Sequence, residues 1–324
     1  MAGGIWSDDR SNGRTALRGC RLVLLTATSA EAGPLLAALQ EPELVEVATK
    51  SVSVGWLCKE GDGAGRGGLR VAVAVGGCDK ANTAQMLTAL FHTMAAPPVL
   101  VMQVGIAGAF VGPDADGARP GDVVLATEEV YADTGSSSPQ GWLSSVELGL
   151  PLACVEGDES GNRFLLDAAL VQAAATAVQN RGGFKAAEPG DRAESGERAE
   201  SRECAAPRPR GGDGVSAASG PRVYTGRCLT LSRATGLDAE ATVLVERWGA
   251  LAESMEGAAA AHMCVLYGVP FLEVRGISNL VTDRDRASWE IDRAIRAAGQ
   301  AALAICGAFD VLPINSDVEA TWIS

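Results

Sequence analysis

The sequence lacks the cysteine and histidine patterns that bind zinc or form a disulfide framework. Its eight cysteines are scattered through 324 residues without a C-x-x-C pair, and its two histidines are His92 and His262. Zinc sites and disulfide-stapled domains need such residues at close, regular spacing. We therefore expect reduced thiols, no metal site and a cytoplasmic location.

Long apolar runs and an excess of positive charge are also missing. A membrane helix needs about 18 or more uninterrupted apolar residues, and no such run occurs. Asp8, Asp9 and several arginines occupy the N-terminal segment, where a signal peptide would be hydrophobic. The chain has 27 Lys and Arg against 40 Asp and Glu, a net charge of −13. A surface of this sign repels nucleic-acid phosphates and anionic lipid, so we expect neither as a partner.

The apolar content, 47%, is sufficient for a large buried core. Short β-rich runs alternate with Ala-rich helical stretches, a rhythm that predicts the α/β class, with a mixed central β-sheet flanked by helices. The predicted strands cover residues 21–26, 69–75, 98–104, 122–127, 223–229 and 270–276. The predicted helices cover residues 30–39, 81–94, 163–179, 235–246, 255–267 and 290–309.

The composition predicts one domain, residues 19–312, between a frayed leader (1–18) and a tail (313–324). Within it, residues 186–220 are dominated by Gly, Ser, Pro, Arg and Glu, and Val215 is their one large aliphatic residue. Such a segment cannot bury enough apolar surface to offset the entropy of ordering. We expect a disordered insertion in a surface loop, with a recognition segment as the alternative.

Two polar motifs follow the first two predicted strands. Glu31 lies in the first turn of a helix, where a carboxylate complements the helix dipole or serves a ligand. A glycine turn with Gly76 and Gly77 follows the next strand, and its exposed amides could hold a phosphate, a water or a sugar hydroxyl. This turn is neither G-x-G-x-x-G nor a P-loop.

Three more motifs follow later in the chain. Small residues at 105–110 and at 120–121 predict two turns that a planar ligand can approach closely. Glu256 opens an Ala-rich helix that must pack tightly, and a buried Glu needs a partner or a function. The strand that ends at residues 273–279 carries Arg275, Ser278 and Asn279, which could converge on one ligand.

The order of these motifs resembles the nucleoside phosphorylase and nucleosidase superfamily and, within it most closely, the futalosine hydrolase family. The resemblance extends from residue 21 to residue 308, without the 186–220 segment. The motifs that carry it are TATSAEAGPLL, GIAGAF, PGDVVLATEEVYADTG, SMEGAAAAH and VRGISNLVTDRDRASWEI.

The resemblance implies roles on the sugar side of a nucleoside. Glu31 matches the carboxylate that activates the attacking water, and Glu256 matches the one that holds the ribose hydroxyls. Met255 would pack on the sugar, and Gly77 would lie near the nucleophile. Cleavage of an N-glycosidic bond builds positive charge on the sugar, which anionic groups stabilise.

On the base side, Ala107 and Gly108 match the turn beside the purine. Asn279 stands where adenine-specific relatives carry Asp, and its amide can both donate to and accept from a 6-oxopurine. Arg275 could orient Asn279 or Glu256, or it could form a sheet-edge ion pair. Asp283 is a possible acid for the leaving purine.

The implied activity is hydrolysis of futalosine to release hypoxanthine, a step of menaquinone biosynthesis, without a cofactor and in a homodimer or larger homo-oligomer. One alternative is a purine nucleoside phosphorylase, for which the glycine turn offers Lys80 as its cation. The others are an adenine-type nucleosidase and a non-catalytic nucleoside-binding protein.

Overall fold

The computed structural model of the chain describes residues 10–58, 68–111, 117–155, 158–187 and 220–314. The helices are α1 (Arg10–Ala16), α2 (Ser29–Ala38), α3 (Lys80–Thr93), α4 (Ala168–Gly182), α5 (Asp238–Trp248), α6 (Gly257–Leu266) and α7 (Ile291–Gly307). The strands are β1 (Leu22–Thr26), β2 (Gln40–Val47), β3 (Lys50–Leu57), β4 (Leu69–Val75), β5 (Leu100–Ala109), β6 (Val123–Tyr131), β7 (Gly135–Ser138), β8 (Gly141–Ser144), β9 (Ala153–Val155), β10 (Asp158–Ser160), β11 (Arg163–Leu165), β12 (Lys185–Ala186), β13 (Arg222–Thr230), β14 (Ala252–Ser254) and β15 (Phe271–Leu280). Two 3-10 helices, Arg286–Ser288 and Phe309–Val311, flank α7.

Eleven strands form one mixed sheet, and nine of them lie in the order β11-β6-β13-β14-β5-β1-β4-β3-β2. Strand β12 joins β13, and β15 pairs with both β5 and β6, so β6, β13, β14, β5 and β15 close into a barrel. One apolar core lies between the sheet and α2, α4 and α7, and a second lies between the sheet and α1, α3 and α6. Two smaller ones lie against α5 and inside the barrel. The predicted fold class, a mixed central sheet flanked by helices, is confirmed.

The helix predicted over residues 163–179 is wrong at its start. Arg163–Leu165 forms β11, which pairs antiparallel with β6. Helix α4 begins later because the Asp167 side chain accepts a hydrogen bond from the Leu170 N–H at 2.9 Å, as an N-cap residue does.

The turn predicted at residues 105–110 is also wrong, because β5 continues through Ala109. Strand β15 pairs with β5 as far as Leu280 opposite Ala109, which satisfies the backbone groups that a turn would have exposed. The small side chains therefore belong to a strand of the barrel.

The frayed leader is corrected for the part that the structure describes. Helix α1 covers Arg10–Ala16, and Leu17 is buried in the core shared by α1, α3 and α6. Residues 1–9 of the predicted leader, most of the 186–220 insertion and most of the tail lie outside the described residues. No helix within the described ranges has the length and apolarity needed to cross a membrane.

Replacing residues 188–218 with a short Gly-Ser linker is expected to change the free energy of unfolding by less than about 1 kcal/mol, because loop-closure entropy varies slowly with length. The flanks already meet, since β12 pairs in parallel with β13 and the Ala187 N–H donates to the Val223 carbonyl at 3.2 Å. Urea unfolding and turnover of the two proteins provide the measurement. The same linker with residues 185–187 also removed is the control that loses this pairing. A large loss of folded protein or of activity in the first variant alone would contradict the expectation.

Candidate active site

The loops that follow β1 and β4 lie side by side at one edge of the sheet. These strands are parallel neighbours, and their pairing continues into the loops: Gly76 N–H donates to Thr26 at 2.8 Å and Gly77 N–H donates to Ala27 at 3.0 Å. Parallel strands deliver their following loops to the same edge, where ligands bind in open α/β sheets. The first two predicted motifs therefore meet.

Glu31 is buried at the start of α2, with 6% of its surface exposed. Its Oε2 accepts hydrogen bonds from the N–H and hydroxyl of Thr28 at 2.8 and 2.9 Å, and Thr28 in turn caps the Glu31 N–H. This capping box stabilises the helix start. The other oxygen, Oε1, accepts from the Ile106 N–H of β5 at 2.9 Å. Glu31 thus caps its helix and also reaches across to the barrel.

Glu256 is buried at the N-terminus of α6 and accepts three hydrogen bonds. Its Oε1 accepts from the Asp79 N–H at 3.2 Å, and its Oε2 accepts from the Met255 N–H at 3.3 Å and from Arg275 Nη1 at 3.2 Å. Burial raises the pKa of Glu256 above its ordinary value, although the Arg275 charge acts in the opposite direction. The carboxylate is therefore fixed in position by the turn after β4 and by β15.

Arg275 is 1% exposed and lies between carboxylates. Its Nε donates to Glu273 Oε1 at 2.6 Å, and its Nη1 donates to Glu256 and to the Ile106 carbonyl at 3.3 Å. The predicted sheet-edge ion pair is wrong, because the ion pairs of Arg275 are buried. Of Glu256 and Asn279, Arg275 contacts Glu256. The barrel interior shields this cation from water.

Gly105 lets the two halves of this cluster approach. A Cβ atom there would lie 2.6 Å from Arg275 Nη1 and 2.7 Å from Glu31 Oε1. Both atoms therefore occupy the space that a side chain would fill, and only a glycine leaves room for them. Glu31 and Glu256, 225 positions apart in the chain, become neighbours around one guanidinium.

The site has a negative character that reaches Cys78. Burial and the charges of Glu256 and Glu31 raise the pKa of the Cys78 thiol. The described residues contain no group of three or more His, Cys, Asp and Glu side chains arranged to hold a metal ion.

Ser278 and Asn279 lie beside β5 at the end of β15. The Ser278 hydroxyl is within hydrogen-bond distance of the Ala107 carbonyl at 3.1 Å and of Asn279 Oδ1 at 2.7 Å. Asn279 Nδ2 donates to the Leu280 carbonyl at 3.0 Å, and Asn279 pairs with Gly108 in the sheet. The predicted base-side residues are brought together, and the amide is held by its own strand.

Gly77 and Met255 complete the predicted set. Gly77 lies in the turn after β4, and Met255 is half-buried immediately before Glu256. Both belong to segments that contact Glu31 or Glu256 through backbone groups. Asp283, by contrast, is exposed, and its Oδ1 accepts the Asp238 N–H at 3.0 Å, which places it at the start of α5. His92 contacts the Tyr267 hydroxyl at 3.0 Å, and His262 stacks on Phe164.

A network on the turn after β4 was not anticipated. The Ser232 hydroxyl donates to Asp79 Oδ1 at 2.9 Å, the Ser232 N–H donates to Asp133 Oδ2 at 2.8 Å, and Asp133 forms an ion pair with Lys80. These bonds anchor Asp79, whose N–H holds Glu256. The sequence offers no signal for this contact, because its partners come from three separate loops.

Glu129 and Glu273 were also missed. Both are fully buried near Arg275, although Glu129 is in β6 and Glu273 is in β15. Glu273 and Arg275 alternate with apolar residues in β15. This spacing was a signal that could have identified Glu273, since residues two apart on a strand share a face and buried charges are usually paired.

The sequence of this chain is similar to those of known proteins of the phosphorylase superfamily. The profile of the phosphorylase superfamily matches residues 21–309. Futalosine hydrolase of Thermus thermophilus is 30% identical over 225 residues, which cover 69% of this chain and 76% of that protein. Futalosine hydrolase of Streptomyces coelicolor is 47% identical over 83 residues, 25% of this chain, and the match spans 35% of the length of that relative.

Solved structures share the fold. A 5'-methylthioadenosine/S-adenosylhomocysteine nucleosidase from Neisseria meningitidis, in complex with methylthio-immucillin-A, superposes with a TM-score of 0.64 at 18% identity and covers 89% of this chain and 98% of its own. Futalosine hydrolase of Helicobacter pylori superposes with a TM-score of 0.62 at 16% identity, over 88% and 96%. With the profile match and the Thermus relative, these results show that the chain belongs to the phosphorylase superfamily and, within it, to the futalosine hydrolase family of N-glycosyl hydrolases.

Proposed function

We propose that this chain hydrolyses the N-glycosidic bond of futalosine and releases hypoxanthine, without a cofactor. The observation that carries the proposal is the meeting of two buried carboxylates, Glu31 and Glu256, around Arg275. The departing purine leaves positive charge on the sugar, as in other glycoside hydrolyses. A buried anionic pair stabilises that charge more strongly than solvent-exposed groups would.

Glu31 is the base that activates water. An ionised carboxylate offers about four lone-pair positions, and Thr28 and Ile106 occupy three of those of Glu31. One position remains for a water proton. The three fixed donors hold the carboxylate in one orientation, so the water is positioned before the sugar arrives.

Glu256 holds the ribose hydroxyls, because like Glu31 it has more lone-pair positions than fixed donors. Asp79, Met255 and Arg275 donate to it, which leaves a position for a hydroxyl donor. Met255 packs against the sugar, and Gly77 lies in the turn beside the nucleophile.

The purine lies beside β5 and β15 in this proposal. Ala107 and Gly108 present a flat, small-residue surface, and Ser278 holds Asn279 by a hydrogen bond at 2.7 Å. An amide can donate to O6 of hypoxanthine and accept from a ring N–H, which a carboxylate cannot do when ionised.

Phosphate is disfavoured as the nucleophile by the charges around the site. Arg275 is engaged by Glu256 and Glu273, and Lys80 is paired with Asp133. Lys50 also reaches the turn after β4 and donates to the Gly76 carbonyl, but a phosphate ion there would still meet two buried carboxylates whose own cation, Arg275, is already ion-paired. A phosphorylase reaction therefore has less support than hydrolysis.

Incubation of the purified protein with futalosine, inosine and methylthioadenosine, each with and without phosphate, tests the proposal. We expect hypoxanthine from futalosine at a rate that phosphate does not raise. Phosphate-dependent release would indicate a phosphorylase, preferential cleavage of methylthioadenosine would indicate an adenine-type nucleosidase, and binding without turnover would indicate a non-catalytic protein.

Asn279→Asp tests base selection. The carboxylate loses the amide donor and leaves O6 facing an acceptor, a mismatch that costs about 1–3 kcal/mol, or about 5- to 150-fold in relative specificity. The measurement is the ratio of kcat/KM for futalosine and its 6-amino analogue in parent and variant. Asn180→Asp is the control, because it makes the same change at an exposed position of α4. An unchanged ratio in Asn279→Asp would place base recognition elsewhere.

For the assembled protein we propose a homodimer or larger homo-oligomer in the cytoplasm. The Ala-rich start of α6 is buried within the chain, so an interface needs another surface. Leu237, just before α5, and Val243, on α5, are exposed apolar residues that suit an interface. Sedimentation of the parent and a Val243→Glu variant measures the assembly.

A further inference from the structure

A second pair of buried carboxyl groups lies behind Arg275, on the side away from Glu256. We infer that Glu129 and Glu273 share one proton and together position Arg275 against Glu256. This inference rests on the proposed function for its catalytic consequence, but its protonation state is measurable without substrate.

Gly257 shows how closely the two carboxyl groups approach. A Cβ atom at this first residue of α6 would lie 2.3 Å from Glu129 Oε1 and 2.4 Å from Glu273 Oε1. Oxygens from two different strands therefore converge on the same point beneath the helix. Two ionised carboxylates that converge on one point in a dry interior repel each other strongly, and one proton between them removes the repulsion.

The orphaned atoms indicate where that proton lies. Glu129 Oε1 and Glu273 Oε2 are buried and accept no hydrogen bond from other donors among the described residues. The remaining oxygens do have donors: Thr230 donates to Glu129 Oε2 at 2.7 Å, and Arg275 Nε donates to Glu273 Oε1 at 2.6 Å. A proton held between the two groups supplies the missing donor.

Glu129 is the member of the pair that holds the proton. Glu273 carries the charge-assisted bond to Arg275, whereas the groups facing Glu129 are Thr230, Cys228, Tyr131 and Glu273. Burial and the Glu273 charge raise the pKa of Glu129 well above its ordinary value, and the more distant Arg275 charge only partly opposes this.

The inferred proton between Glu129 and Glu273 completes a hydrogen-bond path to the sugar-side carboxylate. It runs from the Ala258 N–H to Thr230 at 2.7 Å, then to Glu129, Glu273, Arg275 and Glu256. With one proton in the pair, Arg275 divides its charge between Glu273 and Glu256. Loss of the proton would add a second buried negative charge and draw the guanidinium away from Glu256.

Two isosteric substitutions separate the members of the pair. Glu273→Gln removes the anion that holds Nε, so we expect kcat for futalosine to fall by about tenfold or more, with KM changed less. The acid limb of the kcat profile moves to lower pH, because Arg275 then stabilises ionised Glu256 more fully. Glu129→Gln replaces a neutral acid by a neutral amide, so its kcat loss is the smaller one, and the alkaline fall in kcat moves to higher pH.

Infrared spectroscopy of the unliganded protein reads the proton directly. We expect the parent at neutral pH to show a protonated-carboxyl band from Glu129, and Glu129→Gln to lack this component. Glu128→Gln is the matched control, because this neighbour on β6 pairs with Arg163 and Arg227 on the other face, and it retains the band. A parent without the band, or a Glu129→Gln variant that keeps it, would overturn the inference. Failure to cleave futalosine, with the band present as expected, would count against the proposed function alone.

Discussion

Replacing Glu31 with glutamine is expected to lower kcat for futalosine by about 10²- to 10⁴-fold, the usual contribution of a positioned general base. Glutamine keeps the shape of the side chain but cannot take a proton from water. The Thr28 and Ile106 donors then face an amide, yet binding of the nucleoside through Glu256 and the base side persists. The kinetic signature is therefore a large fall in kcat with a small change in KM.

Glu147→Gln is a matched control for the capping role of Glu31. Glu147 accepts hydrogen bonds from the N–H and hydroxyl of Ser144, both at 2.7 Å, as Glu31 does from Thr28, but in an exposed turn. A similar small loss of stability in both variants, with loss of kcat in Glu31→Gln alone, separates catalysis from capping. Removal of a general base lowers kcat by about 10²-fold or more. If kcat of Glu31→Gln instead stays within about threefold of the parent value, Glu31 is not the base.

Arg275→Met is expected to destabilise the folded protein by about 3–5 kcal/mol at neutral pH, the typical effect of removing one partner from a buried ion pair. Methionine fills much of the volume but leaves Glu256 and Glu273 without their cation. Burial raises the pKa values of Glu256 and Glu129 above those of the unfolded chain. The folded state thus holds protons that the unfolded state releases first as pH rises, so stability falls with rising pH. Loss of Arg275 makes this fall steeper.

Urea unfolding at acid and neutral pH measures the effect. Arg163→Met is the control, because Arg163 also pairs with a buried glutamate, Glu128, but is half-exposed and shares that partner with Arg227. Its loss should be small and nearly independent of pH. Equal losses in the two variants at both pH values would mean that Arg275 does not compensate the buried carboxylates.

The main elements of the sheet could be predicted because their local signals agree with their final environment. Residues 69–75 were predicted as a strand, and β4 has those bounds, since an apolar run buried on both faces needs no partner-specific information. The β2–β3 hairpin was not predicted. Most side chains of β2 are exposed, so it lacks the apolar pattern by which a strand is recognised.

Local chemistry also explains why the start of α4 was misplaced. The segment from Arg163 is compatible with a helix by propensity, but pairing with β6 takes its first residues. Tertiary pairing overrides propensity where the two compete for the same backbone groups.

One irregularity in the pairing of β6 with β13 decides which of its side chains face the barrel interior. Strict alternation along β6 would place Glu128 on the same face as Val124 and Ala126 and would turn Glu129 away. The register with β13 shifts between Gly226 and Arg227, which skips Thr127. An extra residue of this kind reverses the alternation, so Glu129 lies with Glu273 and Glu128 meets the outer arginines.

The fold class, the strand-end motifs and the identity of Glu31, Glu256 and Asn279 as candidates followed from the sequence and its resemblance, because residue type and order along the chain carry that information. Their assembly did not. The barrel closes through β15, which brings Arg275 to Glu256 across 19 positions and, over Gly105, to Glu31 across 244. The protonation of the carboxyl groups around Arg275 depends on burial and distance, which only the packed chain defines.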